Sequence, residues 1–380
     1  IKSSTKAKPE HEYDLAFQTL VLEKSGLKVE NIFVVHVNSS YVRQGDIDPA
    51  ELTDTTEITN AVRSHMALTE RKVEEAKAVM NSNTMPDPSP SKARLGAFTE
   101  WVKIYKTLTP DVPEYSIYDI GRVGAQRIAE LEEGGVEKIV DVPDDFNLTT
   151  KQRHQIEATK SDKRVINKEE IDAFMKTLQY PLYFLDYETL SGTVPPYDGT
   201  RPYQQVPFQY SLHILDKPDG TLEHKEYLHQ TNSNPVPALL EQMKKDIGPE
   251  GSVIVWFKGF EMGRNEEMAE MEPEYAEFLQ GVNDRVVDLM VPFMEDWFVD
   301  KDFLGSASIK AVLPVLVPEL SYKELNIQGG STAQRVWMQC VLDGKIDKSE
   351  EEIMEDLRKY CELDTLAMVK IWEVLANLVL

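Results

Sequence analysis

Two acids one residue apart, Asp186 and Glu188, close the apolar run LYFL in PLYFLDYETLSG. Side chains two apart on a strand point to one face, so both carboxylates can share a ligand while Tyr187 faces away. Ionised carboxylates that close repel each other, and a hard divalent cation relieves the repulsion. A solvated strand end is the ordinary reading of such a triplet, but these acids emerge from what reads as core strand. A second pattern lies in YCELDTLAMV, where Tyr360 and Asp364 are four apart and share a helical face. Leu363, Leu366, Ala367 and Ile371 would support that helix from the core side. The third piece is Glu261, which follows Phe260 in VIVWFKGFEMGRNEE, where a buried strand runs out into a helix. Asp288 in RVVDLM competes with Glu261 as the fourth acid.

The elements that must deliver these side chains fall in the second half of the chain. PLYFLDYE, VPFQYSLHIL and TLEHKEYLH read as strands, the last two joined across DKPDG, whose Pro and Gly suit a hairpin turn. GSVIVWF and RVVDLM are further strands, and the stretch from KSEEEIMEDL to the end is helical. Antiparallel strands followed by alternating helices and strands predict an α+β or mixed-sheet domain over residues 180–380, and the class expected for the chain is α/β with this mixed sheet flanked by helices. Residues 85–179 read as a linker and helical connector, opened by the proline-rich TMPDPSPSKARLG. Within it, IYDIGRVGAQRIAELEEGGVEKIVDVP reads as short helices joined by Gly turns, in preference to a helix-hairpin-helix gripping phosphates through its amides. Residues 1–84 form a partial α/β region: a helix over 10–26 closed by Gly26, the strand NIFVVHV and a charged helix around TERKVEEAKAVMN.

Composition narrows the function. No apolar window approaches a membrane span, and IKSSTKAKPE has no apolar core behind its lysines and is no secretory signal. Two cysteines, Cys340 and Cys361, are too few for a disulfide framework and fit a reducing cytoplasm. The formal charge is −24, and about three quarters of it lies after residue 180. So acidic a surface does not hold nucleic acid by phosphate contacts alone, but divalent cations can bridge it to a polyanion. No P-loop, G-x-S-x-G, H-E-x-x-H or G-x-G-x-x-G is present. A glycosidase is disfavoured because acids two apart on one strand face cannot flank a sugar bond from both sides.

Taken together, the acids resemble the three motifs of the DEDD 3′-5′ exonucleases, in the subclass with a tyrosine in its third motif (DEDDy). That family has a ribonuclease-H-like fold. Its first motif, D-x-E, is matched by Asp186 and Glu188; its third, Y-x-x-x-D, by Tyr360 and Asp364. Its second is usually N-x-x-F-D, where this chain has FKGFE, with Glu261 for the aspartate and Phe257 for the asparagine. The resemblance implies a 3′-5′ exonuclease on DNA or RNA, using two Mg²⁺ or Mn²⁺ ions. Asp186 would bridge both ions, Glu188 and Asp364 would complete their shells, Glu261 would act on the second, and Tyr360 would orient the attacking water. Arg201, Gln204, Gln205 and Lys310, the last on a helix that Ser306 or Ser308 could cap, are candidates for phosphate or base contacts. GTRPYQQVPFQYSLH and GSASIKAVLPVLVPELSYKEL also resemble an uncharacterised bacterial family whose C-terminal part is this nuclease-like domain, over most of residues 85–380.

The front of the chain resembles the second half of a RecB-like PD-(D/E)XK nuclease domain, carried by Lys2, Gln18 and the strand NIFVVHV. The acids preceding that lysine would lie upstream of Ile1, in a nuclease half outside this chain. The region is therefore expected to be an inactive scaffold, and two cysteines rule out the iron-sulphur cluster of some RecB-like proteins. The rival to an exonuclease is a catalytically silent ribonuclease-H-like binding or regulatory module of a larger nuclease.

Overall fold

The computed structural model describes residues 1–93, 98–344 and 349–379. Two compact units emerge: Ile1–Asp87 with Ser191–Gln205, and Pro88–Leu190 with Val206–Leu380. Among the described residues no helix is long and apolar enough to cross a membrane.

In the first unit, α1 (Pro9–Lys24) begins with a proline at its first turn and closes where Gly26 takes a φ of 92° and Leu27 N donates to Leu22 O. Strand β1 (Phe33–Val37) pairs antiparallel with β2 (Thr53–Glu57), and α2 (Thr59–Met80) follows. Ala16, Ile32, Val34, Ile58 and Val62 form the core between them. The leading residues run along the free edge of β1, with Lys2 N bonded to Val35 O and Val37 N to Ser4 O. Segment 191–205 joins this unit through Arg43, whose guanidinium donates to Pro195 O and Pro196 O. Thr200 O and Gly199 N complete the attachment on the backbone of Arg43.

After the helix Phe98–Leu108 the second unit carries a repeated motif. A single 3-10 turn, Ile117–Asp119 or Ile139–Asp141, leads into a helix, α3 (Ala125–Glu133) or α4 (Thr150–Ser161). Ser116 and Lys138 pair as an isolated bridge between the copies. Ile117, Ile120 and Val123 of one copy share a core with Ile139, Val142 and Leu148 of the other. This is the expected set of short helices joined by turns.

The rest of the unit is built on β3 (Leu182–Leu190), β4 (Val206–Leu215), β5 (Leu222–Leu228), α5 (Val236–Asp246), β6 (Ser252–Val255), α6 (Lys258–Met271), β7 (Val286–Asp288), α7 (Ile309–Leu316), α8 (Gly330–Trp337) and α9 (Glu350–Val379). The strands form one mixed five-stranded sheet in the order β5-β4-β3-β6-β7. β5, β4 and β3 are antiparallel neighbours, whereas β6 and β7 run parallel to β3. The fold is thus α/β with a mixed sheet, as expected. Pro207 sits at the bulge where the β3–β4 register slips between Glu188 and Thr189, a place that tolerates a residue without an amide proton. The extra residue, Phe208, is fully buried and stacks on Trp337 with ring centroids 4.6 Å apart.

Candidate active site

Alternation along β3 sends Tyr187 to one face, where its hydroxyl donates to Asn265 Oδ1 at 2.8 Å, and sends Asp186 and Glu188 to the other. That second face is covered by α9. Gln209 Nε2 donates to Leu357 O, and Thr365 Oγ1 bonds both Ser211 Oγ at 2.7 Å and His213 Nδ1 at 2.8 Å. Ser211 is the cross-strand partner of Asp186, so these bonds lock the helix at the level of the strand acids. Asp364, the residue before Thr365, is thereby brought to them. Carboxylate oxygens of Asp186, Glu188 and Asp364 lie within 4.8 Å of one another, although 176 residues separate the last two in sequence. Tyr360, one helical turn before Asp364, lines the same pocket of about 450 Å³.

Glu261 lies in the first turn of α6, lines this pocket and is 2 % exposed. Its Oε2 has no hydrogen-bond partner among the described residues. Asp288 is differently employed. Asp288 Oδ1 accepts from Phe257 N and Met290 N, both at 3.0 Å, and Oδ2 accepts from Lys258 N at 2.9 Å. Its carboxylate holds the end of β6 and the start of α6, and does not line the acid pocket.

Lys310 stands among the acids. Ser308 occupies the N-cap position of α7 without capping through its side chain, and Lys310 follows in the first turn. Its Nζ donates to Gln328 O at 2.9 Å and to Tyr360 Oη at 3.3 Å, and lies 5.4 Å from the ring centres of both Tyr322 and Tyr360. Two contributors escaped the sequence reading. Tyr322 donates its phenol to Asp364 Oδ1 at 2.5 Å from a 3-10 turn. Gly330 opens α8 so close to Glu188 that a Cβ there would sit 3.3 Å from Glu188 Oε2. Neither carries a local signal beyond an aromatic in SYKEL and a double glycine.

The electrostatics reflect like charges crowded in a place with little water. Burial first, then the charges of Asp364, Glu261 and Glu188, push Asp186 well above the usual carboxylate range. Burial and Asp364 push Glu188 up to about 8, with Lys310 pulling the other way. Glu261 is raised by burial and then by Glu188. Asp364 rises only to about 6, because the Tyr322 hydrogen bond and Lys310 oppose its burial. The phenols of Tyr322 and Tyr360 are both raised, by burial and then by Asp364.

This donor set is all oxygen, held above its normal proton affinity, with one buried carboxylate oxygen lacking a partner. It fits a hard divalent ion of the Mg²⁺ or Mn²⁺ type, and Asp186, Glu188 and Asp364, with Glu261 beside them, could hold it.

Arg201, Gln204 and Gln205 fall in segment 191–205, which groups with the first unit. Gln204 is buried, and its Oε1 accepts from Arg201 N, which closes the loop on itself. At the front of the chain, Lys2 Nζ and Gln18 Nε2 converge on one carboxylate, that of Asp14, at 2.5 and 3.0 Å. These two bonds hold Asp14 below the usual carboxylate range.

Residues 183–308 match the model of a domain of unknown function, DUF2779. The chain is 28 % identical over 225 residues to an uncharacterised protein of Ureaplasma parvum, covering 53 % of this chain and 32 % of that one. It is 28 % identical over 246 residues to an uncharacterised protein of Mycoplasma genitalium, covering 59 % and 36 %. A homologue of the latter in Mycoplasma pneumoniae is 29 % identical over 218 residues, covering 52 % and 32 %. The chain spans about a third of the length of these relatives. No solved structure matches it.

Proposed function

We propose that the sheet domain is a ribonuclease-H-like, divalent-metal-dependent 3′-5′ exonuclease that hydrolyses phosphodiester bonds of DNA or RNA. The observation that carries this reading is the convergence of Asp186, Glu188 and Asp364 on one pocket, with the unpartnered Glu261 oxygen lining it. The strand order β5-β4-β3-β6-β7, with an antiparallel half and a parallel half, supports the fold named here.

Asp186, Glu188, Asp364 and Glu261 would hold Mg²⁺ or Mn²⁺, which when bound polarises a phosphate and makes a water molecule more acidic. The rest follows from the chain's own groups. Tyr360 accepts a hydrogen bond from Lys310, so its own proton is left for donation, to Asp364 at rest and, in this reading, to the attacking water. The Lys310 ammonium, held by Gln328 O and flanked by two phenol rings, places fixed positive charge where a phosphate would gain negative charge. Trp256, Ile309 and Met368 on the pocket wall limit water, which strengthens each of these interactions. One observation favours the rival, a silent binding module: Tyr322 donates to Asp364 Oδ1 and so already engages one of the proposed ligand oxygens.

The test is an oligonucleotide radiolabelled at its 5′ end, incubated with the protein and Mg²⁺ or Mn²⁺. A ladder shortening from the 3′ end, lost in Asp186→Asn, is the expected result. An intact oligonucleotide beside calorimetric Mn²⁺ binding that needs Asp186 would support the silent module instead. Absence of both would end the metal-site reading.

A further inference from the structure

Phe257 is an unusual residue for the place it occupies. It is 56 % exposed, yet it lines the acid pocket between Trp256 and Phe260. Its neighbours are already engaged: Trp256 stacks on Phe293 and donates Nε1 to Ala307 O, and the Arg264 guanidinium covers Phe260 at 4.6 Å. No ring or cation covers Phe257 among the described residues. Its backbone is left-handed, at φ 77° and ψ 73°, a conformation that costs a large side chain strain. Asp288 enforces that conformation by accepting both the Phe257 and Lys258 amide protons. The ring is thus displayed at the mouth of the pocket by a buried carboxylate. The adjoining Gly259 leaves open space, with nothing but the Phe257 ring within 4 Å of where its Cβ would be. The exposed Lys258 makes no ion pair there among the described residues.

We propose that Phe257 is a stacking platform for an unpaired base at the 3′ end, which makes single-stranded nucleic acid the substrate class. This rests on the nuclease reading of the acid pocket and deepens it. A planar ring beside a phosphate site offers what a base can use whatever its identity, because every base has a π-face. A base inside a duplex has both faces taken by its neighbours, and a blunt end keeps its 3′ base tied to the partner strand, so an unpaired end is the one that can turn onto the ring beside the acids. Lys258 adds positive charge beside the path of the strand in an otherwise acidic domain.

Single-stranded oligonucleotides carrying 2-aminopurine at the terminal or penultimate 3′ position would be titrated with the whole protein, with Ca²⁺ replacing Mg²⁺ to slow turnover. Three proteins are compared: wild type, Phe257→Tyr, which keeps a ring, and Phe257→Asn, which tolerates the left-handed backbone but has no ring. Melting curves establish that both variants are folded. Wild type and Phe257→Tyr should quench the fluorophore, whereas Phe257→Asn should lose the quench and bind about tenfold more weakly. A blunt duplex should bind the wild type at least tenfold more weakly than the single strand, a preference that shrinks in Phe257→Asn. Equal quench and affinity in wild type and Phe257→Asn would overturn the stacking role and leave the nuclease reading standing. A wild type that binds no oligonucleotide with or without divalent ions would overturn both.

Discussion

At the scale of single residues, what distinguishes this pocket is how little room its parts leave one another. Gly330 shows it best. Its missing Cβ is what lets the start of α8 approach Glu188. Gly330→Ala puts a methyl 3.3 Å from Glu188 Oε2, so the carboxylate must move by a few tenths of an ångström. Alanine otherwise suits a helical position better than glycine. The variant should therefore melt no lower than wild type while losing roughly tenfold in Mn²⁺ affinity or turnover, measured by calorimetry and by the 3′-end assay. Asp186→Asn is the complementary case. Removing one of several crowded negative charges should leave the melting temperature unchanged or higher. Turnover should fall by about a thousandfold or more, because several kcal/mol of charge stabilisation at the phosphate is lost. Activity surviving in this variant would place the chemistry elsewhere.

At the scale of elements, the site depends on α9 lying in one register over β3 and β4. Thr365 carries that register, since its hydroxyl is shared with Ser211 and His213 in a fully buried place. Thr365→Val keeps the shape and leaves both partners short of a bond, at a cost of about 1–3 kcal/mol. A double-mutant cycle with Ser211→Ala should show coupling of about 0.5 kcal/mol or more, and additive effects would mean the helix is held by its apolar face alone. The same scale explains what was legible in the chain. The strands announced themselves because β3, β4 and β6 are apolar runs buried on both sides, and α9 because its periodicity is long. β2, TDTTE, was missed because it is mostly exposed and without an apolar residue, so only its pairing with β1 makes it a strand. α2 begins ten residues before the charged stretch that suggested it. The acids were legible because spacings of two and four map directly onto a strand and a helix. Tyr322, Gly330 and the contact of Lys310 with Tyr360 were not, because loops far apart in sequence bring them together. The left-handed Phe257 and its Asp288 clamp are likewise products of tertiary pairing.

At the scale of the whole molecule, the crowded acids make stability depend on pH in a direction opposite to that of most carboxylates. Glu188 is raised from 4.5 to about 8 and Asp364 from 3.8 to about 6, with Asp186 and Glu261 raised alongside them. Between their unfolded and folded values these groups bind more protons in the folded chain. Their contribution is therefore complete at low pH and is lost as pH rises towards about 8. His213 works against them: burial lowers it from 6.5 to about 4, so it destabilises the folded state as pH falls through that interval, as does the lowered His229. The two trends cancel in part below pH 6.5, and the carboxylates stand alone above it. The metal-free protein should thus lose stability between about pH 6.5 and 8. Mn²⁺ needs ionised ligands, so its stabilisation should be larger at pH 8 than at pH 6. Thermal denaturation across that range, with EDTA and with saturating Mn²⁺, checks both. A metal-free melting temperature that rises from pH 6.5 to 8, or a Mn²⁺ increment that is the same at both ends, would mean that the four carboxylates are not the coupled, cation-seeking group that their burial describes.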